Sequence, residues 1–215
     1  MQNKFERNKL LINTVIQAFE KRNFNAFYCE NKEDVINKIK ELTKPTETFS
    51  WGGSVTLDET GLKDYLIKNN YNVIDRAKAS TPEEKRKLIL EGLCADNFLM
   101  SANAISQDGE IVNIDGHGNR IAALCYGPKK VFVIAGVNKI EKTLDDAITR
   151  ARTKAAPINA KRVSSLFKVD TPCIKTGVCA DCKSETSICS DILITRLSFP
   201  KGRINVLLVN GDFGY

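Results

Sequence analysis

Residues Lys130–Ala135 (KVFVIA) form an unbroken run of β-formers, with nothing polar between Val131 and Ala135 to turn toward water. A strand of that composition has no alternation, so both of its faces must be covered, as in parallel sheets sandwiched by helices. The rest of the chain supplies the cover. A helical stripe of Phe5, Leu10, Leu11, Val15, Ile16 and Phe19 runs through residues 3–21, followed by a strand at Ala26–Cys29 and a helix over Lys32–Leu42. Thr48–Trp51 reads as a strand, Leu62–Lys68 as a helix and Asn72–Asp75 as a strand. Ser80-Thr81-Pro82-Glu83-Glu84 opens a helix that runs to about Gly92, with a capping hydroxyl, an early proline and acids in its first turn. A strand at Asn97–Ser101 and a β-hairpin over Ile105–Ile114, turning at Gln107-Asp108-Gly109, come next, with helices expected at Gly118–Tyr126 and about Thr143–Ala155. This alternation specifies an α/β fold: a mainly parallel sheet with helices on both faces, plus a hairpin.

Residues 1–157 thus read as one α/β domain. Past Ala156-Pro157 the texture changes. Residues 158–203 are basic, cysteine-bearing and poorly periodic, while residues 204–215 begin in a clear strand, Arg203–Asn210, expected to return to the main sheet. The intervening stretch reads as a C-terminal insertion that buries too little apolar surface to offset its own ordering entropy and needs a stabiliser.

Among 215 residues, 42% are hydrophobic and 27% charged, the balance of a globular chain rather than a collagen, a coiled coil or a disordered tail. The longest apolar runs fall far short of the roughly 20 residues that span a bilayer. The N-terminal residues scatter charges where a signal peptide would have an apolar core, so a cytoplasmic location is expected. The net charge of +6 is uneven: Arg150–Arg203 carries eleven Lys or Arg against four Asp or Glu. Such a segment is either a solvated surface or a site for anions. Aromatics are sparse there (Phe167 and Phe199), and no nucleic-acid module accompanies them, so the expected partner is a small anionic ligand.

Of seven cysteines, Cys29, Cys94 and Cys125 lie apart and read as ordinary core residues. The other four crowd together as Cys173-x5-Cys179-x2-Cys182-x6-Cys189. An odd count without an export signal argues against a disulfide framework. Four thiolates at this spacing can wrap a tetrahedral zinc or the corners of an iron–sulfur cluster, with Lys175 and Lys183 offsetting their charge and the metal supplying the segment's missing folding energy. The alternatives are four reduced cysteines in a loop or a redox-active pair at Cys179 and Cys182, although no strand leads into a helix there as in thioredoxin-type sites.

Two glycine-bearing loops complete the pattern. Ser50-Trp51-Gly52-Gly53-Ser54 joins a strand to a helix, with Ser54 as N-cap or ligand contact. Asn103 through Gly109, then Asp115-Gly116-His117-Gly118-Asn119-Arg120, place small residues where a backbone can approach an anion, with Arg120 as counter-charge. Loops after strands of an open α/β sheet converge on one crevice, although glycine also serves plain tight turns. His117, the only histidine, is a candidate general base or simply a solvated loop residue. The Gly116-x-Gly118 pair lacks the third glycine and downstream acid of a dinucleotide fingerprint.

Trp51-Gly-Gly-Ser54, Ala102–Asn113, Asp115–Arg120 and the Cys173–Cys189 block, in that order, resemble the lactate-utilisation (LUD) domain family over nearly the whole chain. The resemblance implies a fold like that of ribose-phosphate isomerases, CoA-transferases and formyltetrahydrofolate cyclo-ligases. It also implies a bacterial or archaeal cytoplasmic protein. Some relatives belong to an iron–sulfur-dependent system that oxidises L-lactate to pyruvate. Gly52, Gly53, Ser54, Asn103, Asp108, Gly109, Gly116, Gly118, Asn119 and Arg120 match the family's loops, with Asp115 beside them, and Cys173, Cys179, Cys182 and Cys189 match its cysteine motif. CoA-transferases use a loop glutamate as nucleophile. No such glutamate occurs here, the nearest carboxylates being Asp108 and Asp115. Two functions follow as expectations. One is a component of organic-acid oxidation that binds a small anion and relays electrons through an iron–sulfur cluster to an iron–sulfur or oxidoreductase partner. The other is a non-catalytic ligand-binding or assembly protein with a structural zinc or no metal.

Overall fold

In the computed structural model, which describes residues 2–215, the apolar run forms β7 (Lys130–Gly136), buried from Val131 onward inside a six-stranded sheet. Its companions are β1 (Asn25–Cys29), β2 (Thr48–Trp51), β3 (Asn72–Ile74), β4 (Asn97–Met100) and β10 (Ile204–Val209). The order is β1-β10-β7-β4-β2-β3 and every pairing is parallel, with Val206 opposite Val133 and Leu99 opposite Phe132. A second sheet, β8-β5-β6-β9, is mixed. It contains the predicted hairpin, β5 (Ala104–Ser106) and β6 (Ile111–Asp115), flanked by β8 (Ile140–Glu141) and β9 (Asp191–Thr195).

The pleat divides the core in two. Phe132 and Ile134 of β7 face the layer formed by α2 (Lys32–Leu42), α3 (Val55–Glu59) and α4 (Leu62–Lys68), where Val35, Ile39, Leu57, Leu62 and Leu66 are buried. Val131, Val133 and Ala135 face α1 (Gln2–Lys21), α6 (Asn119–Cys125) and the hairpin. Helix α1 contributes Ile12, Val15 and Phe19, whereas Leu10, placed on the buried stripe from sequence, is exposed. Thr81 caps α5 (Pro82–Gly92) by accepting from the Glu84 amide at 3.1 Å, a contact that stabilises such a helix by about 1 kcal/mol.

The helix expected to stop near Ala155 continues further. Helix α7 (Leu144–Arg150) passes through a π-helical stretch, Ala151–Ala155, into α8 (Ala156–Val163). Pro157 has no N–H to return to the carbonyl of residue 153, and the wider turn just before it absorbs that loss without a break. Part of the segment that looked aperiodic is therefore ordered. It contributes the end of α8, the short α9 (Pro172–Thr176) and β9, which runs antiparallel to β6. Arg203 then leads into β10, donating to the carbonyls of Ala123, Leu124 and Pro128 and closing the C-terminal end of α6. Among the described residues no helix is long and apolar enough to cross a membrane.

Candidate functional site

Four neighbouring parallel strands end on the same side, and the residues following them meet in a crevice of about 830 Å³. Gly53 and Ser54 come from the loop after β2, Thr56 from the start of α3, Arg76 from the turn after β3, Ser101 to Asn103 from the stretch after β4, and Lys139 from the turn after β7. This is where ligands settle in open α/β sheets, beyond the carboxyl ends of the strands. The opposite wall is Asp115 to His117, Asn119 and Arg120 from the turn after β6, with Asn159 and Arg162 from α8. Residues 185–188 and Ser190 of the cysteine segment close one side, and Gly214 and Tyr215 another.

The lining is strongly cationic. Arg76, Lys85, Arg120, Lys139, Arg162 and Lys168 face it, against only Asp115 and Glu185. Two of the arginines depend on the glycine pair. Gly52 leaves room for the Arg120 side chain, since a Cβ there would overlap Cγ and Cδ of that arginine, and a Cβ on Gly53 would stand 3.2 Å from a terminal nitrogen of Arg76. Burial, and then the neighbouring Arg120 guanidinium, lower the Arg76 pKa, while Asp115 works the other way. Two like charges are thus crowded into one crevice with one carboxylate near them, an arrangement that an anionic ligand relieves. Ser54 caps α3, accepting from the Leu57 amide at 3.3 Å.

Asp115 organises the far wall. Its carboxylate accepts from the amides of Gly116 (2.9 Å) and Arg120 (2.9 Å) and lies 3.4 Å from the Arg120 Nε. Two amides of the glycine turn, those of Gly116 and Arg120, are therefore taken up by Asp115. Gly118 adopts a left-handed φ of 70° at the N-cap of α6, which glycine accepts without strain. Asn103 ties strands together: its Oδ1 accepts from the Ile114 amide at 2.9 Å, and its carbonyl accepts from Arg150.

Lys139, which the sequence reading did not single out, lies at the crevice floor and is only 3% exposed. Its Nζ bonds to Thr56 Oγ1 (2.8 Å), Ser101 Oγ (3.0 Å) and the Ala102 carbonyl (3.2 Å), and no carboxylate pairs with it among the described residues. Burial, and then the charge of Arg150, bring its pKa down to about 7. Tyr215 stands in the same crevice, its hydroxyl accepting from Arg162 at 2.6 Å and donating to Asn159 at 3.0 Å.

Of the residues expected at the site, Gly53, Ser54, Asn103, Asp115, Gly116, Asn119, Arg120 and His117 line this crevice, and Gly52 and Gly118 support its walls. Asp108 and Gly109 lie elsewhere, at the hairpin turn against α1. Asp108 pairs there with Arg22, and Gly109 takes a φ of 81° with the α1 backbone so close that a Cβ would sit 2.9 Å from the Phe19 nitrogen.

The cysteine segment packs on the glycine turn, with the Ile188 backbone 3.0 Å from where a Gly116 Cβ would stand. Its ends are pinned by the Asp170 amide donating to Thr186 Oγ1 and by Ser184 Oγ donating to the Asp170 carbonyl, both at 2.8 Å. Cys189 is exposed, and Cys173, Cys179 and Cys182 are half-buried. Partial burial of the Cys189 thiol raises its pKa to about 11, and the charges of Cys173, Cys179 and Cys182 add to that rise. Four thiols suit a soft metal or a cluster in number and chemistry. No three His, Cys, Asp or Glu side chains stand at ligating distance among the described residues, so holding a metal requires the loop to draw inward.

A profile of the LUD domain matches residues 12–209. The chain is similar to the crystal structure of a DUF162 family protein from Deinococcus radiodurans at 11% identity, with a TM-score of 0.53 over 95% of this chain and 98% of that one. It is less similar to eIF2B delta from Chaetomium thermophilum, at 16% identity and a TM-score of 0.34, covering 52% of this chain and 48% of that one. No curated protein matches the sequence significantly.

Proposed function

The chain belongs to the LUD domain family, and from that premise we propose that it binds a small organic anion, a carboxylate of the lactate–pyruvate kind, as a component of organic-acid oxidation. The observation that carries this reading is the crevice lining, with five cationic side chains besides Lys139 against two acidic ones beyond the ends of four parallel strands. A carboxylate between Arg76 and Arg120 replaces like-charge repulsion with bidentate attraction. Arg162, held by Tyr215 and Asn159, offers a further donor already oriented toward the crevice.

In the same reading Cys173, Cys179, Cys182 and Cys189 hold an iron–sulfur cluster, which when bound would exchange electrons with an iron–sulfur or oxidoreductase partner. The loop carrying Cys189 also forms the crevice wall at Ile188 and Ser190, so cluster and ligand would share one structural element. Calorimetric titration with lactate, pyruvate and inorganic phosphate tests the binding reading, and Arg120→Gln is expected to weaken carboxylate binding at least tenfold. Absence of binding by all three anions would sink it. Iron and acid-labile sulfide analysis on protein purified without oxygen tests the cluster. Iron with sulfide in the wild type and loss of both in Cys182→Ser are expected. Stoichiometric zinc, or no metal, favours instead a non-catalytic ligand-binding or assembly protein.

A further inference from the structure

We propose that Lys139 is a nucleophile that captures the carbonyl carbon of a 2-oxo acid as an imine on the crevice floor. This deepens, and rests on, the anion-binding reading of the same crevice. A buried lysine is ordinarily held by a carboxylate, yet the partners of Lys139 are two hydroxyls and one carbonyl: Thr56 Oγ1, Ser101 Oγ and Ala102 O. These come from the residues following β4 and the start of α3, so the amine is held by two short hydroxyl side chains and one backbone carbonyl. Its surroundings favour the neutral form, because desolvation and then the charges of Arg150 and Arg120 outweigh the opposing charge of Glu59, and desolvated lysines beside cationic groups are nucleophilic at neutral pH.

Arg120 and Lys139 line the same crevice. A 2-oxo acid carries its carboxylate one bond from its carbonyl carbon. Seating the carboxylate on Arg120 therefore brings that carbon toward Nζ. The Nζ lone pair attacks the carbonyl carbon and the C=O π pair moves to oxygen, giving a carbinolamine once a proton passes from nitrogen to oxygen. The hydroxyls of Thr56 and Ser101, already bonded to Nζ, can pass that proton. Loss of water then forms the C=N bond. Both amine protons leave in that water, no electrons are gained or lost overall, and no co-reactant is required.

The test is borohydride trapping of the full-length protein with pyruvate, read by intact mass and peptide mapping, beside calorimetric titration with lactate and pyruvate in the absence of reductant. One stoichiometric adduct on the peptide carrying Lys139, lost in Lys139→Met and absent with lactate, is the expected result. Peptide mapping of the wild type makes the assignment even where the variant does not fold. No adduct, or adducts spread over exposed lysines, overturns the proposal. If lactate and pyruvate still bind reversibly in that case, Lys139 is only an anion anchor and the anion-binding reading stands. If neither binds and no adduct forms, both readings fall together.

Discussion

Replacing Lys139 by methionine isolates what one buried amine does to the pH dependence of folding. In the unfolded chain a lysine keeps its proton to about pH 10.5, whereas the buried native amine releases it near 7. Between those values the unfolded state binds more protons than the native state, so stability rises with pH. The part of that rise belonging to Lys139 is about 2 kcal/mol from pH 7 to pH 9, or roughly 4–8 °C in Tm for a chain of this size. The Cys29 thiol, pushed up to about 12 by burial and then by Asp34, acts in the opposite direction as unfolded thiols ionise near pH 9. It does so equally in both proteins and cancels in the comparison. Methionine also deprives the Ala102 carbonyl of a donor, a loss of about 1–3 kcal/mol that does not depend on pH. Urea denaturation of wild type and Lys139→Met at pH 7, 8 and 9 gives the answer: wild type should gain about 2 kcal/mol relative to the variant across that range. A difference that stays flat refutes the neutral native amine, whatever the absolute stabilities.

Gly52→Ala should push Arg120 out of the crevice and weaken carboxylate binding roughly tenfold by calorimetry, about 1.4 kcal/mol. Its Tm should fall as well, because the overlapped Cγ and Cδ lie on the stem of a side chain that pairs with Asp115 and donates to the Ile114 carbonyl. Arg203→Met should cost about 3 kcal/mol in chemical denaturation, since three carbonyls around the end of α6 lose their donor together. Gly109→Ala should cost about 2–4 kcal/mol in the same assay, because its left-handed backbone and contacts with the α1 backbone leave nothing flexible to yield. An unchanged denaturation midpoint would contradict the packing of the hairpin on α1.

The parallel sheet was legible because burial on both faces leaves a compositional mark. Residues 131–135 could not have faced water, and the strand found there is buried throughout. The cap at Thr81 was equally readable, since its chemistry is local. What escaped the sequence depends on distant partners. Lys139 stands in Val-Asn-Lys-Ile-Glu-Lys, where a lysine looks like any surface charge, and only packing beneath Thr56 and Ser101 makes it a floor residue. Its one local hint was position, three residues beyond the end of a fully buried strand. Pro157 signalled a helix end, yet the π-helical turn ahead of it carried α8 onward, which placed Asn159 and Arg162 on the crevice wall. Asp108-Gly109 and Asp115-Gly116 look alike in one dimension, but the hairpin sends the first pair to α1 and the second to the crevice.

The position of β10 also orders events during synthesis. Strand β1 has β10 as its sole neighbour in the main sheet, so its edge stays unpaired until residues 204–209 leave the ribosome. At 5–20 residues per second, translating residues 30–203 takes roughly ten to thirty seconds. During that time β1 and the apolar face of α1 have no finished sheet to rest on. Ribosome-stalled nascent chains that end before Ile204 should therefore expose the face of α1 bearing Ile12, Val15 and Phe19 to chaperones and proteases, and emergence of the last strand should close it in a single step.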